Sequence, residues 1–117
     1  MSRNVLIYVS DILENMQDAE EFIQGVSYEQ FVADKKTANA VLRSIEVIGE
    51  ATKNVPDNVR AQYPQVPWKE MAGMRDKVIH SYFDVDKEIV WLVVKERIPA
   101  LRPFVEQILR DLEDQGG

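Results

Sequence analysis

Residues 34–53 read DKKTANAVLRSIEVIGEATK, and the periodicity of that stretch decides the class of fold. Ala38, Val41, Leu42, Ile45, Ile48 and Thr52 recur at steps of three and four. On a helix turning about 100° per residue they form one stripe that must be buried. Asp34 stands where a carboxylate can accept from the first free N–H groups of such a helix. A second stripe, Asn39, Arg43, Glu46, Glu50 and Lys53, runs alongside. Its charges suit helix-surface pairs, each contributing about 0.2–0.5 kcal/mol. Val55-Pro56 ends the pattern.

The same period extends in both directions. Upstream, Val5, Tyr8, Val9, Ile12, Met16, Ala19, Phe22 and Ile23 predict a long first helix, which Gly25 can terminate in a left-handed conformation. Ser27-Tyr28-Glu29-Gln30 has the reciprocal capping pattern and predicts a short helix over 28–33. Downstream, Pro56 to Tyr63 suggests a brief helical connection, and Pro67 suits the first position of a third helix reaching Tyr82. Asp84 or Asp86 restarts the chain as a fourth helix through Ile89–Val94, and Ile98-Pro99 and Pro103 are expected to kink or restart it. Leu101, Phe104, Val105, Ile108, Leu109 and Leu112 supply the last stripe. No segment alternates with the period of a strand. The expectation is all-α: an antiparallel bundle of four to five helices forming one domain over 1–117.

Composition narrows the chemistry. The 117 residues contain no cysteine and one histidine, which removes disulfides, thiolate metal sites and any histidine cluster within one chain. No stretch approaches the roughly 18 uncharged apolar residues of a membrane span, so a bacterial or archaeal cytoplasm is expected. The net charge of −6 argues against a general nucleic-acid coat protein. Yet the charge is uneven: from Asn4 to Asp34 there are seven acidic residues and no basic one, and from Lys35 onward thirteen of each sign. The acidity belongs to the first helix, as a solvated face or a docking face for a basic partner.

The only histidine lies in GMRDKVIHSYF, residues 73–83, close to Arg75, Asp76 and Tyr82. On a continuous helix Trp68, Met71, Arg75, Ile79 and Tyr82 would share one face, and Lys69, Gly73, Asp76 and His80 another. Asp76 would then sit one turn before His80 and could orient its ring. Arg75 and His80 would diverge by about 140°. Two copies of the helix across a two-fold axis could bring them together. From the residues alone, His80 fits equally a polar helix end, Tyr82 an amphipathic core position, and Trp68 and Trp91 the core rather than base-stacking platforms.

Arg75-Asp76-Lys77-Val78-Ile79-His80-Ser81-Tyr82 resembles the R-x4-H-x-Y signature of the HepT-like toxins, a branch of the HEPN-domain superfamily. The likeness continues in Arg43–Ala51, Trp68–Met74 and Val85–Trp91, and covers roughly residues 3 to 113. It implies a HEPN-like helical homodimer with metal-independent endoribonuclease activity and no cofactor. It also implies a minimal nucleotidyltransferase antitoxin as partner. Arg75 and His80 carry over as catalytic residues, Tyr82 as the tyrosine that receives AMP, and Asp76 and Glu50 as supporting groups.

The residue types suit that chemistry. Cleaving RNA without a metal needs a proton taken from a 2′-OH and one given to the departing 5′-oxygen, and imidazole, with an ordinary pKa of about 6.5, can do either. A guanidinium can hold the phosphate through two donors without losing a proton. One histidine per chain does not easily serve as acid and base together, whereas two across a dimer could. Two other readings stand beside this one: a noncatalytic module that presents a nucleotide or substrate to a nucleotidyltransferase, and a structural helical interaction protein.

Overall fold

The computed structural model describes residues 3–81 and 83–116. Helix α1 spans Arg3–Phe22, and Gly25 follows at φ +74°, the left-handed geometry that favours glycine. Ser27 then accepts from the Gln30 N–H while the Gln30 side chain accepts from the Ser27 N–H, fixing α2 at Tyr28–Ala33. Asp34 begins α3, Lys35–Lys53, by accepting from the N–H groups of Lys36 and Thr37 and from the Thr37 hydroxyl at 2.7 Å. That hydroxyl and the neighbouring N–H groups hold the Asp34 carboxyl below its usual pKa. Short α4, Asp57–Gln62, follows Pro56.

The stripe of α3 is buried as its period requires: Val41, Ile45, Ile48 and Thr52 are 0% exposed. It packs along α1, whose Val9, Ile12 and Met16 are equally enclosed, and α1 also lies along the last helix. Each fully buried aliphatic side chain contributes up to about 1.5–3 kcal/mol. The fold is all-α, as expected.

The segment expected to be a continuous third helix is three elements instead. Helix α5 spans Trp68–Ala72 and α6 spans Met74–Val78, with Gly73 between them as the cap of both. The chain then leaves helix for β1, Ile79–Ser81, which pairs antiparallel with β2, Asp84–Val85. The physical cause is local. Glycine is a poor helix former, and Val78-Ile79 is a β-branched pair. Val78 is fully buried, and Ile79 and Ser81 turn inward while His80 turns out. The continuous helical faces expected over residues 68–81 therefore do not form, nor does the divergence of about 140° built on them. Pairing is Ile79 with Val85 and Ser81 with Asp84, with a register shift between, and the Asp86 N–H donates to the Val78 carbonyl at 2.8 Å.

Asp86, one of the two expected caps, accepts from the Ile89 N–H and opens α7, Lys87–Leu92. The rod then widens into a π-helical turn, Val93–Arg97, and continues as α8, Ile98–Gly116. The α-helix restarts at Ile98-Pro99, one of the two places expected, whereas Pro103 lies within α8 and does not restart it. Both tryptophans are packed, as expected. The Trp91 ring lies 5.8 Å from Tyr28 and 5.3 Å from Phe31, and the Trp68 indole N–H donates to the Tyr63 carbonyl at 3.0 Å. Among the described residues no helix is long and apolar enough to cross a membrane.

Candidate active site

Arg75 stands on α6, held in place from behind by its buried neighbours Met74 and Val78. Its position depends on a close approach between α3 and the α5–α6 junction. A Cβ on Gly49 would lie 3.4 Å from the Ala72 carbonyl oxygen, 3.8 Å from that of Met71 and 3.9 Å from the Arg75 Cβ. These are ordinary contact distances, so alanine fits at this point of α3, whereas a longer side chain would push the junction, and Arg75 with it, away from the helix.

Arg75 consequently lines a groove of about 560 Å³ between α1, α3 and α6. Asp11 and Tyr8 come from α1; Arg43, Glu46 and Glu50 come from α3, and Asn54 from its C-terminal cap. These α3 residues follow one another at three- and four-residue steps, so the polar stripe seen in the sequence forms one wall. Glu50 and Arg75, singled out separately, thus meet in one groove. Glu50 faces Lys53 at 3.6 Å, and Arg75 reaches Asp76 at 3.4 Å. Both pairs are long and exposed, and contribute little to stability.

His80 is carried outward by the alternation of β1 and is not part of that groove. Its ring is exposed and, among the described residues, makes no side-chain hydrogen bond or ion pair. The expected Asp76–His80 contact is absent, because the helix that would have aligned them ends at Val78; Asp76 meets Arg75 instead. Tyr82 lies outside the described residues. Phe83, beside it in sequence, is 77% exposed.

Behind the motif the bonding is dense. Glu70 on α5 grips Arg97 through two hydrogen bonds, 2.6 and 2.8 Å. The Arg97 guanidinium holds the Glu70 carboxyl below its usual pKa, and Glu70 raises that of Arg97 in return. The Tyr63 hydroxyl donates to Asp111 at 2.7 Å; burial, then that carboxylate, pushes its pKa from 10.0 up to about 12.

Arg43, Glu46 and Asp11 were not distinguished as site residues in the sequence. The only signal was the α3 stripe, and nothing in it announces that α1 and α6 close over it. Among the described residues no group of three His, Cys, Asp or Glu side chains could hold a metal ion.

Comparison with known proteins adds to this geometry. A family model described as ribonuclease HepT-like matches residues 12–108. A Thermococcus cleftensis protein named "Probable ribonuclease HepT" is 46% identical over 108 residues, covering 92% of this chain and 98% of its own. A provisionally named RNase of Methanocaldococcus jannaschii is 46% identical over 113 residues, 97% of this chain and 93% of its own. Another, from Caldanaerobacter subterraneus, is 45% identical over 103 residues, 88% of this chain and 92% of its own. No solved structure matches the chain.

Proposed function

The chain belongs to the HepT-like ribonuclease family, and on that premise we propose that it is the toxin of a toxin–antitoxin pair, an endoribonuclease that cleaves RNA without a metal. The observation that carries this reading is the end of α6 between Arg75 and His80. It leaves the guanidinium lining a groove with only its sequence neighbour Asp76 as partner, at 3.4 Å, and the imidazole exposed on a ribbon with none among the described residues. Side chains that stabilise a fold are seldom left so free.

Arg75 clamps the scissile phosphate through its planar fork and stabilises charge on the phosphorane. His80 moves the proton: taken from the 2′-OH, it frees that oxygen to attack phosphorus, and the 5′-oxygen leaves protonated. The products are a 2′,3′-cyclic phosphate and a 5′-hydroxyl. Since Arg75 and His80 do not line one groove within a protomer, the working unit is a homodimer whose two-fold cleft joins the Arg75 groove of one copy to the His80 ribbon of the other. Asp76 and Glu50 steady Arg75.

Tyr82 is the proposed switch. A nucleotidyltransferase partner adds AMP to its hydroxyl, displacing pyrophosphate from ATP. The added phosphodiester competes for Arg75 and repels the substrate phosphate, while the adenosine obstructs the cleft.

Cleavage of RNA in EDTA by wild type and by His80→Ala tests the reading. Cyclic-phosphate products from wild type, lost in the variant, are expected; full activity in the variant or complete dependence on Mg²⁺ refutes the mechanism. Incubation of wild type and Tyr82→Phe with the cognate nucleotidyltransferase, ATP and Mg²⁺ should add AMP to wild type alone, as read by mass.

A further inference from the structure

The groove beside Arg75 holds more chemistry than a phosphate clamp requires. Its charged lining is Arg43 and Arg75 against Asp11, Glu46 and Glu50, so carboxylates outnumber guanidiniums. A bare phosphate is therefore a poor occupant. A metal ion is no better, because among the described residues no three acidic side chains gather closely enough to hold one.

The pairing within the groove is also unusual. Glu46 and Asp11 are half-buried, yet among the described residues neither carboxylate makes a side-chain hydrogen bond or ion pair. Arg43, one turn before Glu46 on the same helix, is likewise unpaired. Removing part of a carboxylate's water without supplying a donor costs free energy, and a ligand that brings donors restores it.

We propose that this groove is a nucleobase subsite beside the scissile phosphate, selecting guanine through Glu46 and Arg43; the proposal rests on the ribonuclease reading above. Guanine alone among the four bases places two adjacent donors, N1–H and the N2 amino group, along one edge, matching the two oxygens of a carboxylate. Its other edge presents O6 and N7, which a guanidinium fork takes through two bonds. Adenine and cytosine each bring one amino group, and uracil one ring N–H. With its phosphate on Arg75, a guanosine lays its base along the α3 wall, where Glu46 is the half-buried carboxylate and Arg43 lies one turn away.

The test separates this subsite from the activity itself. The 3′- and 5′-monophosphates of guanosine and of inosine, which lacks the 2-amino group, are titrated into wild type and Glu46→Gln by NMR. Wild type should prefer guanosine over inosine by about 5- to 100-fold in at least one isomer, with shifts at Arg43 and Glu46, and Glu46→Gln should lose most of that preference while keeping its helical spectrum. Equal binding of the two bases, or no binding at the groove, overturns the subsite. In parallel, RNAs carrying guanosine, inosine or adenosine next to the cleavage point are digested by wild type. Cleavage indifferent to the base overturns the subsite and leaves the ribonuclease reading standing. No cleavage of any RNA overturns the ribonuclease reading, and the titration then judges the groove.

Discussion

Residues 60–72 and 73–86 adjoin in the chain but use their polar side chains in opposite ways. In the first, Arg60 donates to the carbonyls of Val55 and Thr52, Tyr63 to Asp111, Trp68 to Tyr63, and Glu70 takes both arms of Arg97. Most of these bonds cross between elements, and together they pin α4, α5, the π turn and α8. In the second, Arg75 meets only its neighbour Asp76, and His80 meets nothing among the described residues. Beyond the ribbon's backbone bonds and the Asp86 cap, what holds that second segment is apolar: Met74, Val78 and the half-buried Ile79 and Val85. A segment anchored by its hydrophobic side leaves its charged side available for a ligand.

The sharpest break between the two regions should appear when each is cut. His80→Ala should lower the cleavage rate by about 10²–10⁴-fold while thermal unfolding stays near wild type, since an exposed ring with no partner supports little. A large fall in melting temperature would show that the segment is structural after all. Gly49 tests the junction that joins the regions. Gly49→Leu should force the α5–α6 junction away from α3, destabilising by roughly 1–3 kcal/mol and displacing Arg75. Gly49→Ala should fold at least as well as wild type, because its Cβ meets only ordinary contact distances and alanine favours helix. Calorimetry and cleavage assays on both variants decide it.

Smaller effects are expected in the bonded region. Arg97→Ala should cost roughly 0.5–1 kcal/mol at neutral pH, discounted because the pair is partly exposed. The depressed Glu70 carboxyl contributes stability that is present above its usual 4.5 and lost as pH falls through the folded value, so the variant should lose less in acid than wild type. At the other end of the scale, Tyr63 has its hydroxyl raised, so its contribution is complete below pH 10.0 and disappears as pH rises toward about 12. Melting curves of Tyr63→Phe across that alkaline range should show a shallower decline than wild type. Parallel curves would mean the Tyr63–Asp111 bond is immaterial.

Much of the architecture could be read from local chemistry. The capping pair Ser27–Gln30, the Asp34 cap and the glycine at position 25 each act within three or four residues, so their sequence signals suffice. The ribbon at 79–85 escaped because three residues are too few to display alternation, and Val78 and Ile79 also fit a helical stripe. Their β-branching, followed by Tyr82 and Phe83, was the available signal. The groove escaped for another reason. Asp11, Glu46 and Arg75 belong to three helices far apart in the chain, and nothing local reports that α1 and α6 will flank α3 there.

The π turn at Val93–Arg97 has a consequence for how the long rod keeps its phase. Its buried positions begin Val90, Val93, Val94 and Ile98, of which Val90, Val94 and Ile98 are spaced by four, and Leu101, Val105, Ile108 and Leu112 then return to mixed steps of three and four. On a straight α-helix each step of four overshoots a full turn by about 40°, and two in succession would swing Ile98 well off the core. The wider turn absorbs that overshoot, so α7 and α8 present one seam despite an odd run of spacing. It acts as a vernier between two halves of a helix. Removing one residue from it would let the turn close to ordinary α geometry with α8 kept nearly in phase, whereas removing one from the regular turns beyond it would rotate every later side chain by about 100° and turn the seam of α8 toward water.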